Sequence, residues 1–134
     1  MRVLAIVLAA NIAIAGTARA EEELSGLTEY ELACMPCHGI DGHGDGPRAK
    51  EMSRPPADLT KIAKPNGGRF PAKDVAAMID GRAAVAAHGP REMPVWGTRF
   101  RASPDTSEDA KTIETRARAQ IAALVRYLEA IQEK

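Results

Sequence analysis

Both cysteines of this chain stand three positions apart, with a histidine directly behind the second: Cys34-Met35-Pro36-Cys37-His38. No other feature restricts the fold as much, because whatever this cluster binds or bridges has to be accommodated at that point. Three chemistries use a C-x-x-C pair. A dithiol redox motif carries it at a helix start within a βαβ pattern. A structural zinc site needs a second pair of Cys or His ligands elsewhere. Covalent haem attachment needs the histidine immediately after the second cysteine, because that ring ligates the iron of the group just anchored. The order here is the third. The chain has no second cysteine pair for zinc, and no βαβ pattern surrounds the motif. In an oxidising compartment the bland alternative is a Cys34–Cys37 disulfide, and so small a loop would constrain the chain little.

The compartment is read from the first twenty residues, MRVLAIVLAANIAIAGTARA. One arginine is followed by an apolar run from Val3 to Gly16, broken only by Asn11, and then by Ala18-Arg19-Ala20. That is a positive n-region, an h-region and an A-x-A cleavage site. The run is about 14 residues, whereas a spanning helix needs about 20, so the segment reads as an export signal cleaved after Ala20. The mature chain is then residues 21–134, one small domain in the periplasm. Arg2 and Arg19 leave with the signal and all 18 Asp and Glu remain, giving a mature net charge of −2. That charge supports neither a nucleic-acid nor a membrane-surface partner, and no span remains after cleavage. Sec-type export delivers the chain unfolded, which suits a group attached before folding.

The pattern along the mature chain is all-α. LTEYELACMPC, with Leu24 just before it, has apolar residues at Leu24, Leu27, Tyr30 and Ala33, with Thr28 and Glu31 spaced as a capping box. It predicts a short helix from about Glu29 into the cysteines. Gly39, Gly42, Gly44 and Gly46 then follow within eight residues, a loop that lets backbone approach something closely. Residues 47–70 carry Pro47, Pro55, Pro56, Pro65 and Gly67-Gly68 and are expected to be irregular. PAKDVAAMIDGR predicts a helix with Pro71 near its first position and Gly81 as its stop. In the last segment Ile113, Ala117, Ile121, Leu124, Leu128 and Ile131 recur at helical spacing. Aromatic side chains are few, namely Tyr30, Phe70, Trp96, Phe100 and Tyr127. Long Pro/Gly loops are unusual inside a compact domain unless something fills the gap. A buried macrocycle would fill it and supply apolar volume.

A haem held by one histidine has a second open face, which methionine sulfur closes while raising the reduction potential. Met35 lies between the anchoring cysteines and cannot reach that face. Met52 lies at the edge of the Pro-rich run, and Met78 lies on the apolar face of a helix, where methionine is usually core. Met93 sits in REMPVWG, held by Pro94, and proline rigidifies the loop that presents it. Met93 is the expected ligand. His88, in a Gly-Pro turn, is its rival; the plainer reading of His88 and His43 is as exposed loop histidines. Asp41 and Asp45 read as turn formers.

Taken in order, CMPCHG at Cys34–Gly39, GHGDGP at Gly42–Pro47, PPADLT at Pro55–Thr60, MPVWG at Met93–Gly97 and LVRYL at Leu124–Leu128 resemble a class I c-type cytochrome of the small bacterial periplasmic kind. The resemblance covers the whole mature chain, 21–134. It implies terminal helices crossing near one haem edge, with Tyr30 and Tyr127 meeting there and a third helix between. It implies one haem c, attached through Cys34 and Cys37, with His38 and Met93 as axial ligands. It gives Pro47 the carbonyl that accepts a hydrogen bond from the other ring nitrogen of His38, and places Trp96 near a haem propionate. One departure stands out. Family members often pass from the Met-Pro loop into the last helix within a few residues, but here TRFRASPDTSEDAKTIETRAR intervenes. Either the helix begins early, near Thr106 or Ser107, or a charged loop is inserted.

The expected function is that of a periplasmic monohaem electron carrier, a monomer meeting redox partner proteins transiently, with no catalytic constellation. Two alternatives remain: the haem subunit of a periplasmic dehydrogenase or sulfur-oxidising complex, and a gas- or peroxide-binding haem protein if Met93 leaves the iron free. Residues 48–73 net +5 and residues 103–115 net −3, which reads either as a dipole orienting the haem edge toward an acidic partner or as two solvated faces.

Overall fold

The computed structural model describes residues 25–81, 93–102 and 106–133. Five α-helices and three short 3-10 turns make up its regular structure, with no strand among the described residues, so the chain is all-α. Helix α1 covers residues 25–33 and is followed at once by α2, Met35–His38. The 3-10 turns Ala49–Glu51, Leu59–Lys61 and Lys64–Asn66 punctuate the long loop that follows. Helix α3 is Ala72–Asp80, α4 is Trp96–Arg101 and α5 is Ala110–Ala130. None of these helices is long and apolar enough to cross a membrane. The export signal expected over residues 1–20 lies outside the described residues.

Helix α5 is the spine. The Asp109 carboxylate caps it, accepting from the backbone N–H groups of Lys111 at 2.9 Å and Thr112 at 3.0 Å, which satisfies two of the donors a helix start leaves without partners. Its 21 residues span about 31 Å at 1.5 Å per residue. Ala117, Ile121, Leu124 and Leu128, four of the six apolar positions read from the sequence, are buried. Helices α3 and α4 pack on α5 and on each other. The core joins Tyr30 and Cys34 to Ile79, Phe100 and the apolar face of α5.

Helix α1 crosses α5 at close range. A Cβ on Gly26 would run into the carbonyl oxygen of Ala123 and lie 3.0 Å from the Cβ of Tyr127, so only glycine permits this approach. One ion cluster ties the other three helices together. Arg101 in α4 reaches Asp80 in α3 at 2.5 Å and Glu114 in α5 at 2.7 Å, and Arg118 meets Glu114 at 2.6 Å.

Pro71 stands at the start of α3 as its N-cap, near the first position as expected. Two expectations need correction. Helix α1 is already formed at residue 25, so Thr28 and Glu31 lie inside it and form no capping box at its start. The segment after the Met-Pro loop is neither an early start of the last helix nor a plain inserted loop. It holds the separate helix α4, and α5 begins only after Asp109.

Candidate functional site

Cys34, Cys37 and His38 come together because α2 is a single tight turn. The N–H groups of Cys37 and His38 both bond to the Cys34 carbonyl, at 3.1 and 2.9 Å, and Pro36 sits in the first turn, where its missing N–H costs nothing. Positions three apart on a helix share a face, so both sulfurs lie on one side of the turn. No disulfide joins Cys34 and Cys37. Cys34 is buried, at 7% exposure. Burial, followed by the charges of Cys37 and Glu29, pushes its thiol up to about 12, so it is protonated and a poor nucleophile at neutral pH.

The loop then doubles back over α2. The N–H of Gly44 bonds the carbonyl of His38 at 2.8 Å, that of Gly46 the carbonyl of Cys37 at 3.1 Å, and that of Arg48 the carbonyl of Pro36 at 2.8 Å. Gly44 has φ +82, and a Cβ there would meet the Pro56 carbonyl oxygen. The lack of a side chain therefore lets the Pro56–Ala57 backbone lie against this turn. Tyr30, wholly buried, donates its hydroxyl to the Gly39 carbonyl at 2.6 Å and fixes the loop from beneath.

The result is an oriented histidine. His38 is buried, and its Nδ1 lies 2.9 Å from the Ala57 carbonyl oxygen. A carbonyl can only accept, so Nδ1 carries the proton and Nε2 the lone pair. Nε2 has no hydrogen-bond partner among the described residues. Burial lowers the ring's proton affinity, and the Ala57 bond opposes that only in part, so the ring is neutral at pH 7. This corrects the role given to Pro47: the carbonyl that holds the His38 ring belongs to Ala57, and Pro47 is exposed.

Met93 is half-buried and packs against the core cluster that contains Cys34. Trp96 also packs there, 6.2 Å from Phe100, with the Arg99 guanidinium 4.8 Å above its ring centroid. Met52 is half-buried at the end of the Ala49–Glu51 turn, Met78 is half-buried in α3, and His43 is exposed, its Nδ1 3.6 Å from Asp58. His88 lies outside the described residues. No group of three or more His, Cys, Asp and Glu side chains among the described residues could hold a metal ion. A groove of about 550 Å³ between α3 and α5 is lined by neither the cysteines, His38 nor Met93.

Sequence reasoning missed Ala57, since a backbone carbonyl has no residue signature. It also missed Gln132, which binds the loop bearing Ala57: Nε2 donates to the Leu59 carbonyl at 2.7 Å, and Oε1 accepts from the Ala63 N–H at 2.8 Å. A polar residue directly after the apolar Ile131 at the end of α5 was the available signal. Comparison with protein-family models, with curated proteins and with solved structures finds no match for this chain.

Proposed function

We propose that this chain is a periplasmic single-haem electron carrier of the class I cytochrome c type. Cys34 and Cys37 carry the haem through thioethers, and His38 and Met93 are the axial ligands. The observation that carries this reading is the state of His38: buried, neutral, its Nδ1–H given to a main-chain carbonyl and its Nε2 left as a donor, one residue after a thiol. A ligating histidine needs that arrangement, because the second hydrogen bond fixes the tautomer and raises the basicity of the ligating nitrogen. A histidine that merely packs in a core has no need of two thiols on the preceding turn.

The haem, when bound, supplies reversible one-electron chemistry at its iron. The chain's residues do the rest. The two cysteines hold the group to α2, His38 presents Nε2 at a fixed angle, and Met93 offers a soft sulfur from a loop stiffened by Pro94. With His38 and Met93 both held by the protein, one-electron exchange at the group would need little rearrangement. Trp96 would lie near a haem propionate, as the resemblance implies. Transient redox proteins are the partners.

The test is mass spectrometry and absorption spectroscopy of protein purified from the periplasm of cells competent in haem attachment. One haem added and residues 1–20 missing is the expected result; an apo-chain with a Cys34–Cys37 disulfide overturns the reading. In the oxidised protein Met93→Ala should abolish a sulfur-ligand charge-transfer band. An unchanged spectrum removes Met93 from the iron and promotes Met52 or His88.

A further inference from the structure

We infer that Gln132 is a positioning residue for the His38 ring, acting through the Ala57 carbonyl. The inference rests on the reading of His38 as an iron ligand. Ala57 belongs to a loop and not to a helix, so its carbonyl stays where the His38 ring needs it only if the loop is held from outside. One hold is on the near side, where the N–H of Leu59 bonds the Gly42 carbonyl at 2.7 Å. On the far side, Gln132 at the end of α5 takes hold of the same segment twice and anchors it to the helix.

The amide is used nearly to capacity. Nε2 gives one proton to the Leu59 carbonyl and the other to the Leu128 carbonyl, both at 2.7 Å, while Oε1 accepts from the Ala63 N–H at 2.8 Å. Three bonds of these signs fix the orientation, since a flipped amide would set its oxygen against two carbonyls and its NH2 group against an N–H. Glutamate lacks both donors, lysine lacks the acceptor, and methionine lacks both. The neighbouring backbone adds a third tie to the segment, from the Glu133 N–H to the Thr60 carbonyl at 2.8 Å. Within the segment, the Asp58 carboxylate accepts from the Thr60 N–H at 3.0 Å and the Thr60 hydroxyl at 2.5 Å. Leu59–Ala63 is therefore a stiff unit, and Ala57 lies two residues before it. Releasing Gln132 lets that unit drift and weakens the bond to His38.

The consequence is electronic. A strong bond from Nδ1–H makes Nε2 a better donor, which favours the oxidised, more positive iron. A weaker bond should raise the reduction potential and free the Nδ1 proton to exchange.

The experiment compares Gln132→Met and Gln132→Glu with the wild-type holoprotein by potentiometry and by NMR of the His38 ring. Gln132→Glu keeps the acceptor for Ala63 but sets a charged oxygen against the Leu59 and Leu128 carbonyls, so the potential is read on the uncharged Gln132→Met. Gln132→Met should raise the potential, and both variants should speed His38 Nδ1–H exchange while leaving the axial-ligand spectrum unchanged. Glu114→Gln, which weakens the ion cluster of α3, α4 and α5 instead, should lower the melting temperature without moving either readout. If the Gln132 variants lose stability but keep the wild-type potential and exchange rate, Gln132 only supports the fold and the inference fails. A wild-type chain that carries no haem overturns the functional reading instead. The clamp is then read on the His38 ring nitrogen shifts of the apo-chain, which Gln132→Glu should move; unmoved shifts overturn it there too.

Discussion

The rings of Tyr30 and Tyr127 lie 4.9 Å apart, tilted by 41°, and they mark where the first and last helices cross. Tyr30 has no solvent exposure and sends its hydroxyl onward to Gly39, so the crossing is coupled to the loop that follows His38. One aromatic pair thus joins α1, which leads into the cysteines, to the spine of the fold.

Gly26→Ala tests how tightly that crossing is packed. The new methyl group would meet the Ala123 carbonyl, which is backbone and cannot rotate away. Overpacking of this kind costs about 1–3 kcal/mol, against a gain in helix propensity of up to about 1 kcal/mol. Denaturant melts should show a net loss, with the melting temperature down by several degrees. A variant more stable than the wild type would mean that the helices cross less closely.

Alkaline pH tests the Tyr30 hydroxyl. Burial above all, with the neighbouring negative charges, raises its pKa above the ordinary 10.0. The folded state then holds the proton more tightly than the unfolded chain. The stability this gives is complete below pH 10 and is lost as pH rises through the folded-state value. Tyr30→Phe leaves the Gly39 carbonyl only the long bond from the Gly42 N–H at 3.4 Å and should cost about 1 kcal/mol at neutral pH. The variant's stability should also fall less steeply above pH 10, as followed by circular dichroism.

The helices were legible in the sequence where apolar residues repeat over several turns. Helix α3 ends at Gly81 and α5 buries the face given by Ala117, Ile121, Leu124 and Leu128, as the spacing predicts. Helix α4 was not legible, because WGTRFR is too short to show a period and its turn is held by contacts with α3 and α5. At the candidate site, the Cys34-Cys37-His38 cluster was written in residue types. The partner of His38 was not, since any residue supplies a carbonyl. What selects Ala57 is the fold of the Pro55–Ala63 loop, fixed by a glutamine distant in sequence. Lys61 shows the same limit in charge: the sequence counts it among free cations, yet Asp58 holds it at 2.6 Å.

Arg101→Met should be among the most damaging substitutions outside the site. It removes the two-pronged partner of Asp80, whose side chain is 5% exposed, and loss of one member of such a pair costs about 3–5 kcal/mol. The same cluster predicts acid sensitivity. Hydrogen bonds from Arg101 and then Arg118 hold Glu114 down from the ordinary 4.5 to about 2. Its contribution is present above pH 4.5 and is lost as pH falls toward 2. Glu114→Gln should flatten the stability profile across that window, and an unchanged acid limb would show that the carboxylate is not linked to folding.

The last prediction concerns the basic segment 48–73, where the structure changes which residues should be tested. Arg48 pairs with Glu51 at 3.1 Å and Lys61 with Asp58, so neither offers a free charge. Lys50, Lys64, Arg69 and Lys73 are exposed and have no ion pair among the described residues. On the acidic side, Glu108 pairs with Arg116, Asp109 caps α5 and Glu114 pairs with Arg101 and Arg118, so the negative segment is largely occupied in holding the fold. What remains is a basic loop on a chain whose net charge would be −2 once the proposed export signal is removed. Hexacyanoferrate, an anionic oxidant, separates the two levels. If the net charge governs encounter, oxidation of the reduced protein should quicken as salt screens the repulsion. If the loop lies beside the haem edge, the rate should instead fall as ionic strength rises toward 0.1 M, where the screening length shrinks to about 10 Å. Reversing Lys50 and Lys64 to Glu should then slow the reaction further and leave the absorption spectrum unchanged. A rate indifferent to both changes would make these lysines a solvated face and leave docking to apolar contacts, with Leu32 and Ile40, the two most exposed large apolar side chains among the described residues, on either side of the Cys34–His38 cluster in sequence.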